Sequence, residues 1–112
     1  MASVEFVQLL NETGVNSTQN TAKGSLSPGD QDMALVVVAA NQSSANMTVQ
    51  AQHSPDNGTN WINIGTAITV TANGAQLESL AAPVLPTVRA VITVTGGSAD
   101  LDVRIHKDPR RR

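Results

Sequence analysis

Alternation of apolar and polar side chains is the feature that most constrains this chain. Ala45, Met47, Val49, Ala51 and His53 alternate with Asn46, Thr48, Gln50 and Gln52. The same two-residue period runs through Val88, Ala90, Ile92 and Val94. It returns in Leu101, Val103 and Ile105, set against Asp100, Asp102, Arg104 and His106. Ile62, Ile64, Ile68 and Val70 share one parity. Successive strand side chains point to opposite faces, so this period describes half-buried strands, and no helical period is sustained anywhere. Residues 33–40 depart from it. They are continuously apolar and β-branched at the centre, which predicts a central strand buried on both faces. Residues 4–10 form a second short apolar run, and residues 75–80 fit either an edge strand or a helical turn.

Turn chemistry separates these runs. Asn41-Gln42-Ser43-Ser44 is expected to join two strands. Ser54 to Asn60 carries an Asn57-Gly58 pair suited to a hairpin, Asn73-Gly74 repeats it, and Gly96-Gly97-Ser98 is expected to close a last hairpin. Pro83 and Pro86 place Val84-Leu85 in a loop or at an edge, because proline cannot donate to a ladder. Strands at this spacing predict an all-β fold: an antiparallel β-sandwich or jelly-roll-like barrel of six to eight short strands, with an extended N-terminal segment. The 112 residues suffice for one domain. Its expected parts are an N-terminal strand and polar arm (1–32), a β-sandwich domain (33–106) and a basic C-terminal tail (107–112). Residues 11–32 are rich in Ser, Thr, Asn and Gln with few anchors, Val15 and Leu26. Two readings of them stay open: a surface loop, or a tether that lays residues 4–10 on a neighbouring subunit.

Composition narrows the function classes. Charged residues make up 14% and aromatics 2% of the chain, while Ser, Thr, Asn and Gln number 36. That mixture argues against a coiled coil, a disordered tail and a nucleic-acid module. With no Cys there is no disulfide framework and no thiolate metal site. The apolar runs are too short to span a bilayer as helices, and the first residues lack a basic region followed by an apolar stretch, so no secretory signal is expected. The five Asn-x-Ser/Thr sequons, at Asn11, Asn16, Asn41, Asn46 and Asn57, then read as by-products of composition in a chain made in a cytoplasm. Charge is uneven: residues 1–103 hold Lys23 and Arg89 against eight acids, a formal −6, whereas residues 104–112 hold five bases against Asp108, a formal +4. A basic tail on an acidic body suits contact with an acidic surface.

The residues do not assemble a catalytic constellation. His53 continues an inward parity, His106 an outward one, and Glu5, Glu12 and Glu78 are scattered. No Gly-x-Ser-x-Gly elbow occurs, and Gly96-Gly97-Ser98-Ala99 lacks the Lys-Ser/Thr and helix of a phosphate cradle. Asp56 to Asn60 resembles a calcium loop but lacks the bidentate acid that completes one. An enzyme is not expected, and neither cofactor nor metal is called for. Trp61 opens a strand after the Asn57-Gly58 turn. It either caps the core or offers a stacking platform to a sugar, which makes a carbohydrate-binding module one alternative.

Ser54-Pro55-Asp56-Asn57-Gly58-Thr59-Asn60-Trp61, followed by a Gly-bearing hairpin, begins a set of segments with a family likeness. Leu80-Ala81-Ala82-Pro83, Pro86-Thr87-Val88-Arg89-Ala90 and Val94-Thr95-Gly96-Gly97-Ser98-Ala99 complete it. Over residues 33–106 the chain resembles small β-sandwich virion proteins of tailed bacteriophages, and among them most the capsid decoration (cement) proteins. The resemblance implies a jelly-roll-like module, made in the host cytoplasm, that sits on the capsid surface and clamps adjacent capsomers. It implies the major capsid protein as partner, self-association as a dimer or trimer, and no catalytic residues, nucleic acid or membrane. A tail or head–tail connector subunit is the alternative within the same group. For such a role the interface residues expected from the sequence are the apolar Val4, Phe6, Val7, Leu9 and Leu10. The basic Arg104, Lys107, Arg110, Arg111 and Arg112 are expected to meet an acidic shell.

Overall fold

The computed structural model describes residues 5–26, 33–80 and 84–107. All of their regular structure is β. The strands are β1 (Glu5–Val15), β2 (Gln19–Asn20), β3 (Gly24–Ser25), β4 (Met33–Ser54), β5 (Ile62–Asn63), β6 (Ile68–Val70), β7 (Gly74–Leu80) and β8 (Thr87–Lys107), and every pairing is antiparallel. Eight strands match the expected number, but they are not all short: β4 has 22 residues and β8 has 21. These two pair from Met33 opposite Lys107 to Ser54 opposite Thr87 and form a spine. On one half of it, β7 pairs with residues 33–39 and β1 with residues 99–107. On the other half, β5 and β6 pair with β4, while β2 and β3 pair with β8.

The spine bends in the middle, and there three expected turns prove to be something else. Asn73-Gly74 makes no hairpin, since β6 and β7 on either side of it both run antiparallel to β4 and so in the same direction. Residues 41–44 and 96–98 do not reverse the chain. They lie opposite one another in the ladder, with Ser43 facing Ser98 and Asn46 facing Gly96, and the register shifts on both sides of each pair. Asn41, Ser44 and Gly97 all have positive φ, 52°, 52° and 69°. Left-handed residues in both strands at one level make a bulged corner, because a reversal would need the neighbouring strand to stop there. The polar side chains that looked like turn signals bond the backbone where the ladder is broken. The Ala45 N–H donates to Gln42 Oε1 (3.0 Å), the Gln42 N–H to Asn73 Oδ1 (3.0 Å), and Thr95 Oγ1 to the Asn46 carbonyl (2.9 Å). Asp100 ties the corner to β1, accepting from the Gly14 N–H and from Asn41 Nδ2, both at 2.8 Å. Those two hydrogen bonds, Asn41's the stronger influence, hold its carboxyl below the usual range. By contrast, Asn57 (φ 60°) and Gly58 (φ 100°) do reverse the chain, at a turn held by Ser54 and Asp56.

Folding at the corner brings the two halves face to face, as in a sandwich. Leu35, Val37, Leu101, Val103 and Ile105 from one half, and Met47, Val49, Val88 and Ile92 from the other, are fully buried in one core. The halves also touch along both margins. On one side the Gly24 position lies against Val7 and Leu9, close enough that a Cβ would fall 2.6 Å from Val7 Cγ2. On the other, Gly65 packs against Leu80. The core is aliphatic and thin, so burial of many medium-sized side chains holds it together at about 1.5–3 kcal/mol each.

Two further expectations change. Residues 33–40 are not buried on both faces: Met33, Leu35, Val37 and Ala39 face the core, while Val38 and Ala40 are exposed. Residues 5–26 are neither a free loop nor an arm on a neighbour. β1 is an integral strand, β2 and β3 pair with β8, and Val15, Thr21 and Leu26 are buried. Thr21 lies across the margin of the sheet, its N–H donating to the Ala90 carbonyl (2.9 Å) and its Oγ1 accepting from the Ala90 N–H (3.0 Å). Buried Val15, Thr21 and Leu26, five or six residues apart, anchor a segment whose other side chains are mostly polar. Residues 108–112 of the expected basic tail (107–112) and residues 27–32 lie outside the described residues.

His53 accepts the Leu85 N–H through Nδ1 at 3.0 Å, and burial holds its pKa below the ordinary value. The folded state therefore favours neutral imidazole. Its contribution is complete above about pH 6.5 and is lost as the pH falls from there through the lower folded-state value. Thermal melts are expected to show a midpoint that falls as the pH is lowered below about 6.5. That fall should be shallower in His53→Asn, whose amide oxygen can accept from Leu85 without titrating. An identical slope in both proteins would assign the pH dependence to the carboxylates.

Candidate docking surface

The outer face of the first half of the sheet is built row by row from strand register. Alternate residues of β7, β4, β8 and β1 point away from the core. One row reads Ser79, Ala34, His106 and Phe6, and the next reads Leu77, Val36, Arg104 and Gln8. A third reads Ala75, Val38, Asp102 and Asn11. The face therefore has two parts. The β7–β4 side is an aliphatic strip of Ala34, Val36, Val38, Ala40, Ala75 and Leu77, and the β8–β1 side is polar with one ring.

The polar side is wired together. Phe6 stacks on His106 with ring centroids 5.0 Å apart and planes within 16°. The Arg104 guanidinium lies over the same ring at 4.8 Å. Arg104 also grips Asp102, with Nη2 at 3.0 Å from Oδ2 and Nε at 3.1 Å from Oδ1, and Gln8 Nε2 donates to Oδ1 at 2.9 Å. Burial pushes the Asp102 carboxyl up, but the hydrogen bonds from Arg104 and Gln8 and the charges of Arg104 and His106 outweigh it and hold the carboxyl below its usual range. The result is a rigid, locally neutral strip beside an apolar one.

Exposure singles this face out. Four large apolar side chains are exposed among the described residues, and three of them are here: Leu77 at 63%, Phe6 at 47% and Val38 at 39%. The fourth, Ile62, lies on β5. Single exposed apolar residues need no explanation, whereas Val38 and Leu77, neighbours with Val36 on one sheet face, form a group that marks an interaction surface. The other outer face is different in kind. Thr48, Gln50 and Gln52 of β4 and Arg89, Val91 and Thr93 of β8 line it. Trp61 borders it half-buried, with the Arg89 guanidinium over its ring at 4.4 Å. Arg89 Nε donates to Gln52 Oε1 and Gln52 Nε2 to Asn63 Oδ1, both at 2.8 Å. Trp61 thus gives one ring face to Arg89, and the polar groups beside it bond each other.

The interface residues expected from the sequence divide sharply. Phe6 and Arg104 lie on the docking face and touch one another. Leu9 is a core residue, and Val7 and Leu10 are half-buried against the core, so none of these three forms an outward surface. Val7 and Leu9 face inward by ordinary alternation, and the bulge between Gln8 and Leu10 gives Leu10 the same sense, opposite Val103. Lys107 is buried at the end of β8 on the core-facing parity, and Arg104 is already paired to Asp102, which weakens the case for these two as a basic patch. Val4, Arg110, Arg111 and Arg112 lie outside the described residues. Sequence reasoning missed Val36, Val38 and Leu77. The signal was there, since an apolar run without alternation means that both faces want cover, and the chain itself covers only one. No protein-family model matches the chain, and no curated protein matches it significantly.

Proposed function

We propose that this protein is a non-catalytic structural subunit of a bacteriophage virion. It acts as a decoration protein whose outer sheet face docks on the major capsid protein and bridges neighbouring capsomers. The observation that supports the reading is the flat apolar strip of Val36, Val38 and Leu77 beside the immobilised Phe6–Arg104–Asp102 group. A rigid face of this kind loses little side-chain entropy on docking. Repeated over many copies, each contact adds free energy present only in the assembled shell, which stabilises the shell by mass action. A long antiparallel spine with its core sealed at both margins suits a clamp that must transmit load without yielding.

The test is reconstitution. Purified protein is mixed with shells that lack it, and bound protein is counted after sedimentation while heat release of packaged DNA is followed. Hundreds of copies per particle and a raised release temperature are expected. Val38→Lys places a charge in the centre of the strip, and because an unpaired buried charge is costly it should weaken shell binding at least tenfold. Absence of shell binding overturns the reading, and a handful of copies at one vertex reassigns the protein to the connector or tail.

A further inference from the structure

We infer that β7 is a self-pairing edge, through which two copies of this chain join in one continuous antiparallel sheet. The inference stands on edge geometry and holds whatever surface the protein docks against. A sheet edge presents unpaired N–H and C=O groups, and proteins blunt such edges with short strands, bulges, prolines or lysines. The other edges here carry one of these devices. β2, β3, β5 and β6 have only two or three residues, and β1 is interrupted by two register shifts against β8. β7 has neither. It pairs with β4 through seven consecutive residues without a shift, from Gly74 opposite Ala39 to Leu80 opposite Met33, and among the described residues it pairs with no other strand. Its sequence, Gly-Ala-Gln-Leu-Glu-Ser-Leu, contains no proline and no base; its one charged residue, Glu78, is the single blunting device it carries, and self-pairing sets Gln76 opposite it.

The same seven residues are complementary to themselves. Antiparallel pairing about a two-fold axis at Leu77 sets Leu77 against its copy on the outer face, flanked by Ala75 against Ser79. On the inner face it sets Gln76 against Glu78, twice. Gln76 Nε2 already donates to the Thr69 carbonyl at 2.9 Å, and the second hydrogen of that amide is available to the opposing Glu78 carboxylate. A register centred on Glu78 would instead oppose two carboxylates, which is destabilising. Pairing at Leu77 covers the most exposed large apolar side chain among the described residues and joins the Val36–Val38 strips of two copies into one two-fold surface. A second copy therefore fits this edge better than an unrelated strand, because both the charge pattern and the apolar residue repeat about one axis.

Sedimentation equilibrium of the full chain, with no shells present, tests this. A concentration-dependent monomer–dimer equilibrium is expected. Leu77→Lys, which opposes two ammonium groups across the axis, should weaken it at least tenfold while circular dichroism shows the β structure intact. The register is read by crosslinking, since the chain has no cysteine of its own. Cross-strand partners have Cβ atoms about 5 Å apart, so Leu77→Cys should form a disulfide-linked dimer under mild oxidation. Val38→Cys should not: it lies opposite Ala75, two residues from the axis, so three strand spacings of about 4.8 Å and a four-residue offset along the strands put its two copies about 20 Å apart. A chain monomeric at every concentration overturns the inference. So does a dimer indifferent to Leu77→Lys, or one that crosslinks faster through Val38→Cys, which would mean packing through the face.

Discussion

Gly97→Ala is expected to be among the most damaging single substitutions in this protein, lowering stability by at least about 3 kcal/mol and the melting midpoint by roughly 12–20 °C. Two effects add. Gly97 has φ of 69°, a region that costs a residue with a Cβ about 1–2 kcal/mol. The added carbon would also run into the carbonyl groups of Ser43 and Ser44 across the corner, which are backbone and cannot swing away. Relief requires the corner to open, and the corner is what brings the two halves of the core together. Gly14→Ala is the matched control. Its φ is 64°, but nothing lies within 4 Å of the added carbon, so only the backbone term of about 1 kcal/mol remains. Equal losses of the two variants in urea denaturation would contradict this account of the corner.

Leu9→Ala and Phe6→Ala should separate stability from docking. Leu9 is buried and meets the second half of the sheet at Gly24, so truncation leaves a cavity and is expected to cost about 2–4 kcal/mol. Phe6 is about half exposed and loses only its stack on His106 and its contact with Arg104, about 1 kcal/mol. Shell binding should reverse the order. Phe6→Ala removes a docking anchor and frees Arg104, whereas Leu9→Ala, measured below its melting temperature, should bind nearly as the parent does. A Leu9 variant that keeps full stability but loses binding would return that residue to the surface.

These pairs show where reading the chain succeeded and why it stopped. Parity in residues 45–53 and 101–105 was legible because one side of each strand meets water, and the structure buries the odd positions of both runs. Even the corner left a trace. The buried parity of β8 passes from even at Val88, Ala90 and Ile92 to odd at Ala99, Leu101 and Val103, which one inserted residue explains. What did not follow was that Asn41 to Ser44 and Gly96 to Ser98 bend the chain without reversing it. The same residue types with positive φ serve both geometries, and the choice depends on whether a partner strand continues past them. The docking face was hidden for a related reason. Leu9 and Leu10 look like opposite faces of one strand until a bulge gives both the inward sense and leaves Phe6 outside. Val38 looks like core until the second layer proves to lie on the opposite side of β4.

The sequence by itself determined that this chain is an all-β antiparallel protein, because a two-residue period can be buried in no other way. It also determined that the chain is poor in reactive groups and rich in small aliphatic and amide side chains. Only the tertiary structure decided that two strands run the length of the molecule, that the N-terminal segment belongs to its own sheet, and which apolar face remains uncovered. Those outcomes depend on strand register and on which side the sheet folds over. Both are fixed by contacts between residues far apart in the chain, as between Asn41 and Asp100, and local pattern carries no record of them.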